Sequence, residues 1–121
     1  MRKLLVMAAA ASALAVALAA DVFAAAPTLN GTVGPGFTIT LTQAGKKVKT
    51  LKAGTYTLVV SDKATIHNFV LEKSKGGTFE KEITTVPFTG KKALKVKLTK
   101  GTYEYYCRLH ESTMHADFTV K

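Results

Sequence analysis

The part of the chain after residue 24 consists of short segments in which apolar and polar residues alternate. Phe37 to Thr42 is the clearest case, because every second side chain in it is apolar. A period of two places successive side chains on opposite faces, so such a segment fits a half-buried β-strand rather than a helix. Glycines recur between the segments and no helical period is sustained. The pattern therefore predicts an all-β domain, either a sandwich or a small barrel.

Eight segments are predicted as strands on this basis. They are 37–42, 48–51, 56–60, 66–71, 79–86, 93–98, 103–107 and 117–120. Two segments, 51–56 and 98–103, share the pattern Leu-x-x-Gly-Thr-Tyr. A glycine suits the tight turn that begins a strand. We therefore interpret the shared pattern as turn chemistry rather than as a duplication.

The N-terminus has the pattern of a secretory signal peptide. Arg2 and Lys3 precede an uncharged run over 4–20 that is rich in Ala, Leu and Val, and small residues suited to signal peptidase follow it. The run is short and Ala-rich for a membrane span. We predict a signal peptide at 1–24 and a single domain at 25–121, with a cut a few residues earlier as an alternative. The domain would be periplasmic or secreted, with no stable membrane insertion after cleavage.

The predicted domain is strongly basic. Loss of two basic residues and one acidic residue with the leader leaves 15 basic and 7 acidic residues, a net charge of +8 with neutral histidines. Lysines are densest at Lys91, Lys92, Lys95, Lys97 and Lys100. A surface of this kind keeps a protein soluble. It also attracts acidic partners, over a distance that becomes shorter as salt screens the charges.

The only cysteine of the chain lies in its most informative segment. Cys107, His110 and Met114 share one short loop, and His67 lies upstream in the predicted strand 66–71. A single cysteine in an exported chain indicates intermolecular pairing, a reactive thiol or a metal ligand. A thiolate, two imidazoles and a weak axial thioether are the ligands of a blue-copper electron-transfer site. We therefore predict one copper ion bound by these four residues.

Other interpretations of these residues remain open. Cys107 alone would be an inert buried thiol, and Met114 alone would be a core residue. Zinc also binds Cys and His, but its fourth protein ligand is normally Cys, His or a carboxylate rather than Met. Glu111 is an alternative ligand if Met114 does not reach the metal. His115 is predicted to lie on the surface.

Segments 66–69 and 106–120 resemble the cupredoxins, in particular the small plastocyanin-like and amicyanin-like type 1 blue copper proteins. The resemblance covers nearly all of 25–121 and implies a cupredoxin-like Greek-key β-sandwich of about eight strands. It implies the same four metal ligands. It also implies that Asn68 braces the ligand loop by hydrogen bonding.

The resemblance also implies a function that needs no substrate. We expect a soluble one-electron carrier that cycles between Cu(I) and Cu(II) and serves redox partner proteins, acidic ones among them. The electron would leave through His110, with Leu109 in the apolar docking surface around it. A copper-binding module for capture or delivery is the second hypothesis, and a metal-free β-sandwich interaction domain is the third.

Sequence motifs of other functional classes do not rise above chance. This holds for a Ser-His-Asp order, a nucleotide-binding glycine loop and a paired-carboxylate motif. We therefore expect no enzymatic activity, no nucleic-acid partner and a monomer.

Overall fold

The computed structural model describes residues 25–121 as ten β-strands and one short 3-10 helix. The strands are β1 (Thr28–Val33), β2 (Ile39–Gln43), β3 (Lys46–Lys47), β4 (Thr50–Leu51), β5 (Gly54–Asp62), β6 (Phe69–Lys75), β7 (Glu80–Thr84), β8 (Gly90–Leu98), β9 (Gly101–Tyr106) and β10 (His115–Val120). The helix spans Arg108–His110. Within this part of the chain, no helix is long and apolar enough to cross a membrane. The predicted signal peptide at 1–24 lies outside the described residues.

The strands form two five-stranded sheets. The first sheet has the order β3-β2-β1-β5-β8, and the second sheet has the order β4-β10-β9-β6-β7. Both are mixed, because β1 pairs with β5 in parallel and β10 pairs with β4 in parallel, whereas the other pairs are antiparallel. The predicted all-β sandwich is thus confirmed, with two strands more than the eight predicted.

Two observed strands are missing from the sequence prediction, and several strand boundaries differ from it. The alternation does not predict β1, because its Asn30-Gly31 pair is typical of a hairpin turn. A Cβ atom on Gly31 would lie 2.8 Å from Cε2 of Phe69, so this glycine makes room within β1 for an aromatic ring. The two residues of β3 are too few to show a period. The predicted strand 66–71 begins only at Phe69, which leaves His67 in the loop before β6.

Aromatic rings of the second sheet form much of the core. Phe69 stacks on Tyr105 with ring centroids 5.8 Å apart, and Tyr103 stacks on Phe118 with centroids 5.3 Å apart. All four side chains are buried. Full burial of one such side chain contributes about 2–3 kcal/mol. These contacts stabilise the relative positions of β6, β9 and β10.

The repeated Leu-x-x-Gly-Thr-Tyr pattern has the same structure in both copies. The hydroxyl of Tyr56 donates to the carbonyl oxygen of Lys52 at 2.7 Å, and the hydroxyl of Tyr103 donates to that of Thr99 at 3.2 Å. Each bond closes the turn that begins β5 or β9. The second turn therefore begins the strand that Cys107 directly follows.

The two sheets differ in charge. The strands of the first sheet carry six lysines and one acidic residue, the buried Asp62, whereas the strands of the second sheet carry five acidic residues and three lysines. Cross-strand register places four carboxylates side by side in the second sheet. They are Glu80, Glu72, Glu104 and Asp117. Burial raises the pKa of Glu104 above its usual value, and the Glu111 and Asp117 carboxylates raise it further.

We predict that Glu104→Gln stabilises the protein at neutral pH. Because the pKa of Glu104 is raised in the folded state, the folded protein favours the protonated carboxyl. This stabilising contribution is fully present below the usual pKa of 4.5 and is lost as the pH rises through the folded-state pKa. Like charges opposite each other in a sheet destabilise it by about 0.5 kcal/mol. Urea unfolding should therefore show a gain of this size at about pH 7 and almost none at about pH 4.

Glu82→Gln is the control for this experiment. The Glu82 carboxylate lies 3.8 Å from Nε of Arg108, so its removal should not stabilise the protein. An equal gain from Glu104→Gln at both pH values would contradict an electrostatic origin.

Candidate metal centre

Three neighbouring strands of the second sheet bring the predicted ligands to one end of the sandwich. Cys107 directly follows β9, Met114 directly precedes β10, and His67 lies in the loop that leads into β6. Val70 of β6 and the first residue of β10 both pair with Tyr106, the last residue of β9. The two segments that are distant in sequence therefore meet at the same sheet end.

Three donor atoms converge at this end. Nδ1 of His67 lies 3.1 Å from Nδ1 of His110, and Sγ of Cys107 lies 3.8 Å and 3.7 Å from these two atoms respectively. A point equidistant from three atoms with this spacing lies about 2.1 Å from each, close to the bond lengths of metal ions to imidazole nitrogen and thiolate sulfur. In residues 25–121, this is the one cluster of His, Cys and carboxylate groups with the spacing of a metal site.

The loop 107–114 is closed by its own backbone. The carbonyl oxygen of Met114 accepts a hydrogen bond from N of Cys107 at 3.0 Å, and N of Met114 donates to the carbonyl oxygen of His110 at 2.8 Å. Met114 and Cys107 are both buried in the same core cluster, whereas His110 is partly exposed. The loop thus holds one side of the centre in the core and presents the other to solvent.

Asn68 joins the two segments that carry the donor atoms. Its buried side-chain oxygen Oδ1 accepts a hydrogen bond from N of Arg108 at 2.8 Å. The guanidinium of Arg108 lies 3.0 Å from Oε1 of Glu80, which also accepts from the hydroxyl of Tyr106 at 3.1 Å. Burial, followed by the Glu80 carboxylate, raises the pKa of Tyr106 to about 12, so this hydroxyl stays protonated at neutral pH. The bracing role implied for Asn68 is confirmed.

Sequence reasoning does not identify Phe37 as part of the site. Alternation places it in a half-buried strand, but β2 begins only at Ile39 and the Phe37 side chain is 60% exposed. Its ring centroid lies 5.2 Å from that of His67 and 4.9 Å from that of His110. No sequence signal indicates this contact, because it depends on three loops meeting in space.

Exposed apolar side chains are sequence neighbours of both donor histidines. Ile66 directly precedes His67, and Leu109 directly precedes His110; both are more than half exposed. Together with Phe37 they form what we call the apolar rim. Leu109 is exposed, and its place in a docking surface stays a prediction.

The two remaining candidate residues lie outside the cluster. His115 is exposed, as predicted, and its Nδ1 lies 3.6 Å from Oε1 of Glu104. Glu111 is exposed on the loop and interacts with Glu104. It does not belong to the donor cluster of the described residues.

Comparison with known proteins identifies the fold. No protein-family model matches the chain, and no curated protein is significantly similar to it. The copper protein rusticyanin aligns over 78% of this chain and 76% of that chain, with 18% identity and a TM-score of 0.55. Reduced rusticyanin determined by NMR aligns over the same shares, with 22% identity and a TM-score of 0.51.

A mutant amicyanin in the reduced Cu(I) form at pH 4 aligns over 84% of this chain and 88% of that chain, with 17% identity and a TM-score of 0.49. The chain shares its fold with rusticyanin and therefore has the cupredoxin fold. Because the identities are only 18% and 22%, these similarities establish the fold and not the chemistry of the site. The chemistry is inferred from the donor residues of this chain.

We predict that Asn68→Ala destabilises the metal-free protein by about 1–2 kcal/mol, because the N–H group of Arg108 loses its acceptor. Urea unfolding measures the loss, and amide hydrogen exchange at Arg108 should become faster. Asn30→Ala, at an exposed position of β1, is the control. Equal effects of the two substitutions would show that the hydrogen bond does not hold the loop.

Proposed function

We propose that the protein is an exported type 1 copper protein that carries single electrons between redox partners. His67, Cys107 and His110 would provide three strong ligands, and Met114 would provide the weak axial thioether. The bound copper ion would supply the redox chemistry by changing between Cu(I) and Cu(II). The convergence of two Nδ1 atoms and one Sγ atom within 3.8 Å carries the proposal.

The donor set favours copper over zinc. Structural zinc sites take four ligands from Cys, His and carboxylates. The cluster contains three such residues, and within the described part of the chain no fourth residue of these types joins it. The buried Met114, which neighbours the cluster along the loop, provides a soft sulfur donor of the kind found in blue-copper sites.

The surroundings of the cluster favour electron transfer. The hydrogen bonds of Asn68 and of the loop backbone restrain the donor atoms, and restrained ligands change little in position when the metal changes its charge. His67 and Cys107 are fully buried, whereas His110 is partly exposed. His110 is therefore the ligand through which an electron would pass to a partner docked on the apolar rim.

Export and an acidic partner are further parts of this proposal. The signal-peptide pattern at 1–24 supports a periplasmic or extracellular location. Lys91, Lys95 and Lys97 are exposed on β8, and the strands of the first sheet have no exposed acidic residue. Because opposite charges accelerate encounters between proteins, this face would steer an acidic redox protein.

We predict that the protein binds one copper ion per chain and shows the intense visible band of a copper–thiolate bond. Cys107→Ser should abolish the band, whereas Met114→Ala should retain it with an altered reduction potential, because only the axial ligand changes. His67→Gly and His110→Gly should each leave a position that added imidazole fills. Absorption spectroscopy and voltammetry measure these effects.

His115→Ala is the control, because this histidine is exposed and lies outside the donor cluster. It should leave both the band and the potential unchanged. A Cys107→Ser protein that remains blue would exclude the proposed site.

We also predict that the lysines of the first sheet accelerate reaction with anions. At low salt, Lys91→Gln combined with Lys95→Gln should lower the rate at which ferricyanide oxidises the copper(I) protein by about threefold, and salt should remove the difference. Stopped-flow spectroscopy measures the rate.

A second pair of substitutions distinguishes the effect of the first sheet's lysines from the effect of the protein's net charge. Lys75→Gln combined with Lys81→Gln removes the same charge from the second sheet, where both lysines are exposed. If both pairs of substitutions had the same effect, the net charge rather than the first sheet would govern the reaction.

A further inference from the structure

The ring of His67 lacks the hydrogen bond that usually orients a metal-binding histidine. Such histidines commonly donate their second ring N–H to a carboxylate, a carbonyl or water, which fixes the ring. In the described residues, Nε2 of His67 is buried and bonds to no protein group, whereas Nδ1 lies 3.1 Å from Nδ1 of His110. On its Nε2 side, the ring is therefore restrained by packing and not by a hydrogen bond to the protein.

Phe37 is the aromatic neighbour that the two histidines share. The His67 and His110 centroids lie 4.9 Å apart, and each lies within 5.2 Å of the Phe37 centroid. The interplanar angles of the three pairs are between 71° and 81°. Edge-to-face contact is a preferred arrangement of aromatic rings at these distances. The three rings therefore restrain one another in a single cluster.

The loop that carries Phe37 is built to approach His67 closely. N of Gly34 donates to the carbonyl oxygen of Thr38 at 2.9 Å, which closes the loop. A Cβ atom on Gly34 would lie 2.9 Å from Cβ of Ala64 and 3.4 Å from Cδ2 of His67. Gly34 also has a φ of +72°, in the left-handed region that favours glycine. The loop backbone thus approaches the His67 ring so closely that a side chain at residue 34 would touch it, and the Phe37 side chain contacts the same ring.

Burial in the core does not explain the position of Phe37. The side chain is 60% exposed, as is that of Leu109 at 61%, and neither belongs to the hydrophobic core. Phe37 nevertheless makes ring contacts with both histidines. Leu109, which has no aromatic ring, is only the sequence neighbour of His110 and therefore serves as a comparison.

We propose that Phe37 is a positioning residue for the metal centre. Its ring holds the imidazoles of His67 and His110 so that both Nδ1 atoms face the metal position, and it covers the two rings on the solvent side. The consequence for copper rests on the proposed function. The restraint of the rings is a property of the metal-free chain and is tested separately.

The first measurement uses metal-free protein. NMR relaxation of the Cδ2–Hδ2 groups reports the mobility of each histidine ring and does not depend on the ring current of residue 37. Phe37→Leu keeps an apolar side chain and removes the ring, so both histidine rings should become more mobile. Phe37→Tyr keeps the ring and should resemble the wild type, and Leu109→Ala should have no effect.

The second measurement uses the same variants loaded with copper. Loss of an interaction that orients metal ligands typically weakens metal binding by at least about 10-fold. Phe37→Leu should therefore release copper to a chelator about 10-fold faster than the wild type and change the visible spectrum. Phe37→Tyr should restore both properties.

The outcomes separate this inference from the proposed function. If Phe37→Leu left ring mobility at the wild-type level, or if Leu109→Ala raised it equally, the positioning role would be wrong. If the wild type formed no coloured copper complex, the proposed function would fail, and the relaxation measurement would still decide the role of Phe37.

Discussion

The register of β6, β9 and β10 is the constraint on which the site depends. A slip of one residue between neighbouring strands would turn every side chain to the opposite face. In β6 it would turn Phe69 out of the core and displace the preceding His67 from the loop that carries Cys107. The stacking of Phe69 on Tyr105 opposes such a slip. Gly31, in the opposite sheet, leaves the space that the Phe69 ring occupies.

This register alone would not hold the ligand loop rigid. Fixing the backbone of one residue costs about 1–2 kcal/mol of conformational entropy, and the loop 107–114 contains no strand. The loop offsets this cost through hydrogen bonds within its own backbone and by anchoring Cys107 and Met114 in the core. Asn68 and Glu80 hold Arg108 from outside the loop. The donor atoms are therefore arranged before any metal binds, and preorganisation of this kind favours fast electron transfer.

The sequence predicts the sandwich and most of the donor cluster, because the strands and the ligand loop have local patterns. Alternation identifies half-buried strands, and the spacing of Cys107, His110 and Met114 identifies the loop. The sequence is less informative where tertiary contacts decide the structure. Gly31 lies within a strand because of a ring in the other sheet. His67 belongs to the predicted strand 66–71 but lies outside the observed strand, because β6 begins only at Phe69.

The hydrogen bond of Asn68 follows from the family resemblance rather than from any local pattern. Phe37 has no signal of either kind, because an exposed phenylalanine that follows a turn is indistinguishable in sequence from the first residue of a strand. Its contact with two histidines arises only when the loops of both sheets meet. Sequence patterns thus find the donor atoms more readily than the groups that orient them.

Charge and apolar surface occupy different parts of this molecule, and the separation suits a carrier. Six lysines lie on the strands of the first sheet, whereas the residues of the apolar rim are neighbours of the donor histidines at one end of the sandwich. Charges act over roughly 8 Å at physiological ionic strength and can orient a partner before contact. In the proposed carrier role, a small apolar contact would then bring a partner close to His110 without the large buried area of a permanent complex. An electron carrier needs both properties, because it must find its partner quickly and leave it quickly.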